Sequence, residues 1–393
     1  MKVLYCSSLV SDSLFDSIFQ NGQTRDYTGQ KYHGLFVKGL SGNLSPGDIT
    51  ALSHPPCRNF IFRCKEYVDG VEYRYVPIIP VFMLKQLFSF VYSFWYTLYW
   101  CIKYVGEQKV IFSSMMRVYQ YPAIWLGSCL FKRKSISVVC DIPWMTILQV
   151  SATKPSLKQR LSIWLSRKIG AYFDGYVFLT ESMNGVINKK NKPYIVVEGF
   201  CDSEMAYYDN SLTNKYKEKV ILYAGGLHER YGIGRLVDAI KQIDDPNVVL
   251  LLFGSGDMND RLTQEKDERI RFLGPVSNRQ VVESEIKATL LINPRPTTDE
   301  YTMYSFPSKT LEYMASGTYT LTTRLSGIPD EYYTYCGVIE SFDIDGIAKA
   351  IKKTLSMSKD ELYARGLKAK QFVLEKKNNL SQTRRVIDFV KTI

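Results

Sequence analysis

Short runs of consecutive apolar residues, each followed by a helix-length stretch, recur along both halves of the chain. In the first half the runs are Val3–Cys6, Asn59–Arg63, Lys109–Phe112, Ile136–Cys140, Gly175–Leu179 and Tyr194–Val197. Several are apolar on successive positions, as strands buried on both faces of a parallel sheet are. Helical material lies between them, for example Leu157–Ala171. Residues 202–219 are polar, Tyr-rich and without period, and read as a linker. The rhythm restarts with strands at Val220–Tyr223, Val248–Phe253, Ile270–Leu273, Leu290–Asn293, Tyr319–Thr322 and Gly337–Ile339. Helices are expected from Gly234, near Asn278–Ile286 and over Ser308–Ala315, with a charged helical tail from Asp345.

Repeated β and α units of this kind predict an α/β protein of two doubly wound, Rossmann-like domains. The expected division is 1–200, a linker at 201–219, a second domain at 220–375, and a C-terminal helix at 376–393 packing back toward the first domain. The length of 393 residues agrees, since one core rarely grows beyond about 250–300 residues. Open sheets bind ligands outside the carboxyl ends of their strands, so two facing domains would leave a cleft for them.

Charge narrows the partners. Lys and Arg number 50 against 39 Asp and Glu, a net charge of +11, which favours a phosphate-bearing partner or an anionic surface. The longest basic cluster is only Lys132-Arg133-Lys134, so a nucleic-acid arm is not expected. The eight cysteines form no CxxC pair, no secretory leader is evident, and the three histidines are scattered, so a zinc site is not expected. A cytoplasmic protein with reduced thiols is the expectation. Leu87–Ile102 is uncharged, aromatic and flanked by Lys85 and Lys103. It reads either as a buried helix or as a helix lying on the inner face of a membrane, and it is short for a span.

Three stretches of the second half suit a phosphorylated ligand. Tyr223-Ala224-Gly225-Gly226-Leu227-His228-Glu229-Arg230 follows a strand. Its glycines allow close backbone approach, and Arg230 offers a planar fork to phosphate. Phe253-Gly254-Ser255-Gly256-Asp257 is a second close-approach turn, and no GK[ST] follows to make it a P-loop. The third is NPRPTTDEYTMYSFPSKTLEYMASG, Asn293 to Gly317. Phe306-Pro307-Ser308 opens a helix with Ser308 as expected N-cap, and Gly317 stops it. The amino end of that helix, Lys309 and Arg295 would meet phosphate, and Glu312, one turn on, would accept ribose hydroxyls. In the first half, Asp141 of Cys140-Asp141-Ile142-Pro143 is a candidate base, or equally a turn aspartate. Ser7, Ser8 and Ser11 follow the first strand and are placed in an acceptor pocket by position alone. Asp343-Ile344-Asp345 is the one DxD triplet and is expected to cap a helix, not to hold metal.

FPSKTLEYMASG after a strand and loop resembles the sugar-nucleotide signature of family-four retaining glycosyltransferases of GT-B fold. The likeness is strongest to the group 1 type of bacterial surface-polysaccharide pathways. YAGGLHERYG, LLFGSGD and TTRLSGIPDEY fall in the matching order. The resemblance implies a nucleotide-sugar donor held by Gly225, Gly226, Arg230, Gly254, Gly256, Arg295, Pro307, Ser308, Lys309 and Glu312. It also implies a lipid-linked or oligosaccharide acceptor on the first domain, retention of configuration, and no metal or other cofactor. Glu312 matches the second glutamate of the family's pair. The first falls at Tyr304, and Gly226 and Tyr231 stand where an Arg and a Lys are usual. Arg230, Arg295 and Lys309 must then supply the positive charge. A nucleotide-sugar epimerase or phosphorylase of the same fold, and a non-catalytic membrane-associated relative, are the alternatives.

Overall fold

The computed structural model describes the chain apart from residues 23, 25, 58–63, 79–80, 82–83, 146–154 and 298–299, so the expected strand Asn59–Arg63 lies outside the described residues. The chain divides into two units, Met1–Phe200 with Asn379–Ile393, and Cys201–Asn378.

The first unit runs β1 (Lys2–Ser7), α1 (Asp12–Gln20), α2 (Tyr27–Asn43), β2 (Ile49–Ser53), β3 (Lys65–Val68), β4 (Val71–Tyr75), α3 (Leu84–Lys103), β5 (Lys109–Ser114), α4 (Tyr121–Leu130), β6 (Ser135–Val139), α5 (Leu157–Ile169), β7 (Gly175–Phe178), α6 (Ser182–Ile187) and β8 (Tyr194–Val196). Its sheet has the order β3-β4-β2-β1-β5-β6-β7-β8. Only the β3–β4 pair is antiparallel among the described ladders. That hairpin was not expected, because Lys65–Val68 and Val71–Tyr75 mix charge with aromatics and look unlike buried strands. Asp69 and Gly70 turn it, with φ of 50° and 79°, the left-handed pair that two-residue hairpins require. β1 and β5 sit centrally and are buried, and Tyr5, Phe36, Phe112, Val138 and Val177 share one core.

The second unit runs β9 (Lys219–Gly226), α7 (Ile233–Lys241), β10 (Val248–Ser255), α8 (Asn259–Thr263), β11 (Ile270–Gly274), α9 (Asn278–Lys287), β12 (Leu290–Asn293), α10 (Ser308–Ser316), β13 (Thr320–Thr323), β14 (Gly337–Ile339), α11 (Ile344–Leu355) and α12 (Lys359–Lys376). All its described ladders are parallel, in the order β11-β10-β9-β12-β13-β14. Numbered within the unit this is 3-2-1-4-5-6, the Rossmann order, whose direction of winding reverses between β9 and β12. Ser277 and Gln280 cap α9 reciprocally in a capping box, and Asp343 caps α11 through Gly346 N, as the DxD triplet led one to expect.

Residues 202–219 are not a free connector. Asn210 Nδ2 donates to Ser316 O at 2.7 Å, and Lys215 Nζ donates to Ile286 O at 2.7 Å and Thr318 Oγ1 at 2.9 Å, tying the segment to the second unit. The last helix, α13 (Asn379–Thr392), counts with the first unit. It crosses α2 where Gly39 leaves room, since a Cβ there would lie 2.1 Å from Asn379 O. Asn43 Nδ2 donates to Leu380 O at 2.8 Å beside that crossing.

Candidate functional site

At the winding reversal of the second unit, β9 and β12 end side by side, the position outside which open α/β sheets bind ligands. β9 ends in Gly225-Gly226 and β12 in Asn293, two residues before Arg295. Gly225 has a φ of 149°, and a Cβ on it would lie 2.0 Å from Lys309 Cε and Nζ. The bare backbone of Gly225 is therefore what lets the lysine side chain run across the strand end. Gly254 (φ 122°) fits against Gly225, where a Cβ would meet Gly225 O at 1.9 Å, and Gly256 fits against Leu227 O in the same way at 2.1 Å. The glycine turns are thus cut to fit each other and Lys309. Further bonds lock them: Leu227 N donates to Ser255 O at 3.0 Å, and Asp257 accepts from Glu229 N at 2.9 Å and pairs with His228 at 3.1 Å.

Helix α10 is pinned to the same strand. Ala224 N donates to the Tyr313 hydroxyl at 2.8 Å, and Tyr313 is wholly buried. The expected N-cap is corrected. Pro307 occupies that position with φ −74° and ψ 100°, and Ser308 is the first helical residue, with its side chain exposed. Proline has no side-chain acceptor, so no side chain caps this end; Thr310 N donates to Pro307 O at 2.9 Å, and the positive end of the helix dipole favours an anion here. Gly317 closes the helix in the left-handed conformation, at φ 79°. Glu312 is half-buried on α10, one turn beyond Ser308, in the neighbourhood of Cys201.

Three cations gather at this strand end. Arg230 and Arg295 both lie on the Tyr231 ring, with guanidinium carbons 4.9 Å and 4.7 Å from its centroid. Lys309 Nζ lies 5.9 Å from the centroid of the Tyr223 ring. Tyr231, which stands where the resemblance places a lysine, gives up a charge and instead holds two guanidinium groups by their faces. Sequence reading missed this role, since Arg295 and Tyr231 are far apart in the chain. It also missed Asn293. That residue is fully buried, and neither its side-chain oxygen nor its nitrogen has a partner among the described residues; Arg295 Nε is buried and unpartnered too. Buried polar atoms without partners cost roughly 1–3 kcal/mol each, which makes Asn293 and Arg295 costly placements for the fold alone.

The first unit is different at its strand ends. Ser7 Oγ accepts from Leu9 N at 3.1 Å, Ser11 accepts from Leu14 N to cap α1, and both are buried with Ser8. The Ser7 and Ser11 hydroxyls thus accept from their own backbone. Burial and then Arg117 hold His33 and His54 neutral, with pKa values lowered to about 3. Asp141 keeps contact with solvent after β6, yet its crowded surroundings and then the Asp26 carboxylate raise it to about 6. Arg117 is paired with Asp26 at 3.2 Å. Among the described residues no group of three or more His, Cys, Asp or Glu could hold a metal ion.

Residues 218–357 match the family model described as glycosyl transferases group 1. The second unit carries a group 1 glycosyltransferase domain. No curated protein sequence matches the chain. Among solved structures, sucrose-phosphate synthase from Thermosynechococcus elongatus superposes with a TM-score of 0.71 at 15% identity, covering 100% of this chain and 99% of that one. Anabaena HepE in complex with UDP and glucose gives 0.63 at 13% identity, with 100% of both chains covered. The α,α-trehalose 6-phosphate synthase of Burkholderia multivorans gives 0.65 at 10% identity, covering 100% and 98%. The fold is GT-B, and with the matched domain the protein is a glycosyltransferase.

Proposed function

We propose that this glycosyltransferase takes its sugar from a nucleoside diphosphate donor bound at the carboxyl ends of β9 and β12, and delivers it with retention to a lipid-linked or oligosaccharide acceptor on the first unit. The setting proposed is bacterial surface-polysaccharide synthesis at the inner face of the membrane. The observation that carries the donor site is the meeting of Lys309, Arg295 and Arg230 around a double-glycine strand end that faces an uncapped helix terminus. Two phosphates are favoured by positive charge, close backbone approach and a helix amino end without a side-chain cap, and the three occur here together. Anabaena HepE, which shares the fold, is described with UDP-glucose, and this supports the donor class.

In the reaction the bond from the anomeric carbon to the diphosphate oxygen breaks, and its electron pair leaves with the diphosphate. The acceptor hydroxyl oxygen forms the new bond to the same carbon, and its proton passes to a base. Fixed cations act where charge develops on the leaving group and so lower the barrier without reorganising. The Asp141 carboxylate is the proposed base, and Glu312 the proposed ribose contact.

Purified protein would be incubated with a panel of nucleotide sugars and a lipid-linked acceptor. Release of nucleoside diphosphate with glycosylated acceptor is the expected result. Unchanged turnover and nucleotide binding in Lys309→Ala and Glu312→Ala would show that the donor lies elsewhere.

A further inference from the structure

Helix α3 leaves more of its large apolar residues exposed than buried. Its protein-facing side carries Ser89, Ser93 and Thr97, with Ser93 and Thr97 both at 0% exposure, and only near its carboxyl end Trp100 and Cys101. Its outward side carries Leu87, Val91, Trp95, Tyr99 and Ile102, with Trp95 63% exposed. Thr97 Oγ1 donates to Ser93 O at 2.7 Å and Ser89 Oγ bonds His54 Nδ1 at 2.9 Å, while Ser93 Oγ is buried with no partner among the described residues; Gly127 of α4 sits so near that a Cβ would lie 2.9 Å from Thr97 Cγ2. Small residues at such a crossing let two helices approach closely. The hydroxyl side is thus packed closely against α4, and among the described residues the apolar side is left exposed. No described helix is long and apolar enough to cross a membrane, and the hydroxyl face of α3 is committed to the protein.

A basic pocket adjoins the same helices. It holds about 380 Å³ and is lined by Lys109, Lys132, Arg133, Lys134 and Lys391, against the single acid Glu107. Both helix ends lead into it. α4 ends at Leu130, 66% exposed, two residues before Lys132. Lys109 Nζ donates to Cys101 O at 3.0 Å and to Tyr104 O, which fixes the carboxyl end of α3 to the pocket wall. Arg133 Nε is buried with no partner among the described residues. Lys103 lies over the Tyr104 ring at 4.9 Å, a cation beside an amphipathic aromatic at the end of the apolar face.

We infer that the outward face of α3 with the end of α4 docks on an anionic lipid bilayer, and that the Lys109–Lys132–Arg133–Lys134 pocket takes a phospholipid headgroup. Charge complementarity selects this occupant. An anion that arrives attached to an extended apolar phase is what an apolar face ending in a nest of cations fits. The exposed Trp and Tyr belong at headgroup depth. Docking here is independent of the donor site, which lies in the other unit.

The test is flotation of the full chain, without nucleotide sugar, on vesicles of phosphatidylcholine alone and of phosphatidylcholine with about one-third phosphatidylglycerol. The protein is expected to rise with the anionic vesicles at low salt and to be released as salt screens the contact. Trp95→Asp with Leu87→Asp, and separately Lys132→Glu with Lys134→Glu, should each lower the bound fraction about tenfold, with unchanged thermal melting. Lys349→Glu on α11 should leave it unchanged. Absence of flotation at low salt, or equal flotation of the charge-reversed variant, overturns the inference. So does a wild-type dimer that Trp95→Asp converts to monomer, since the face would then belong to a second copy. Each of these results leaves nucleotide binding by Lys309 untouched, so docking and donor binding fail separately.

Discussion

The two units present the same kind of sheet, and their strand ends carry opposite chemistry. In the second, two glycine turns interlock and three cations collect on tyrosine rings beside an uncapped helix. In the first, serine hydroxyls cap their own backbone, two histidines are held neutral, the nearby guanidinium of Arg117 is paired with Asp26, and Asp141 is raised to about 6. The first arrangement has little to offer a diphosphate and one group able to take a proton near neutral pH. The second has charge for a diphosphate, and its own imidazole, His228, is tied to Asp257 at 3.1 Å. On the proposed reading, one fold used twice separates charge stabilisation, assigned to the second unit, from proton transfer, assigned to Asp141 of the first.

That contrast can be broken in several places. The largest effect is expected from Lys309→Ala, which removes one of the fixed cations and should cost about 10²–10³ in kcat with donor, measured by release of nucleoside diphosphate. Asp141→Asn should cost roughly 10² in kcat/KM. In the wild type the carboxylate form prevails above its pKa of about 6, so the rate should fall as pH drops through that value. The asparagine variant should lose this limb, and a wild-type profile that is flat from pH 5 to pH 8 (about one unit below the usual histidine range to one above it) would remove Asp141 as base. Gly225→Ala should displace Lys309, because the added Cβ meets its side chain, and weaken nucleotide binding about tenfold with a smaller change in stability. Tyr313→Phe deletes the bond to Ala224 N and should lower stability by about 1 kcal/mol, read as a shift in the denaturant midpoint.

Strands β9, β10 and β12 of the second unit were legible because each is an apolar run that closes on glycine or asparagine, and they lie within a residue or three of the expected bounds. The β3–β4 hairpin was not read, although Asp69-Gly70 announced it, because its strands are half-exposed and charged at the sheet edge. Lys309, Arg295 and the glycine turns could be proposed from their order along the chain. The use of Tyr231 as a platform for two arginines could not, since it depends on which ring faces which loop. Ser308 was misplaced by one residue because Pro307 already sits at the helix boundary, with an extended ψ that the pattern Phe-Pro-Ser does not disclose. The aromatic run 87–102 was visible as a helix, but a sequence with hydroxyls on one side and rings on the other does not say which side meets the protein. The structure turns the hydroxyls inward.

The donor site stands or falls most directly on calorimetric titration of the full chain with UDP, in wild type and in Lys309→Ala. Saturable one-to-one binding by the wild type, weakened about tenfold or more by the substitution, is the predicted result. Equal affinity in the two proteins, or no heat from either with UDP or any other nucleoside diphosphate, would contradict the placement of a diphosphate at the carboxyl ends of β9 and β12.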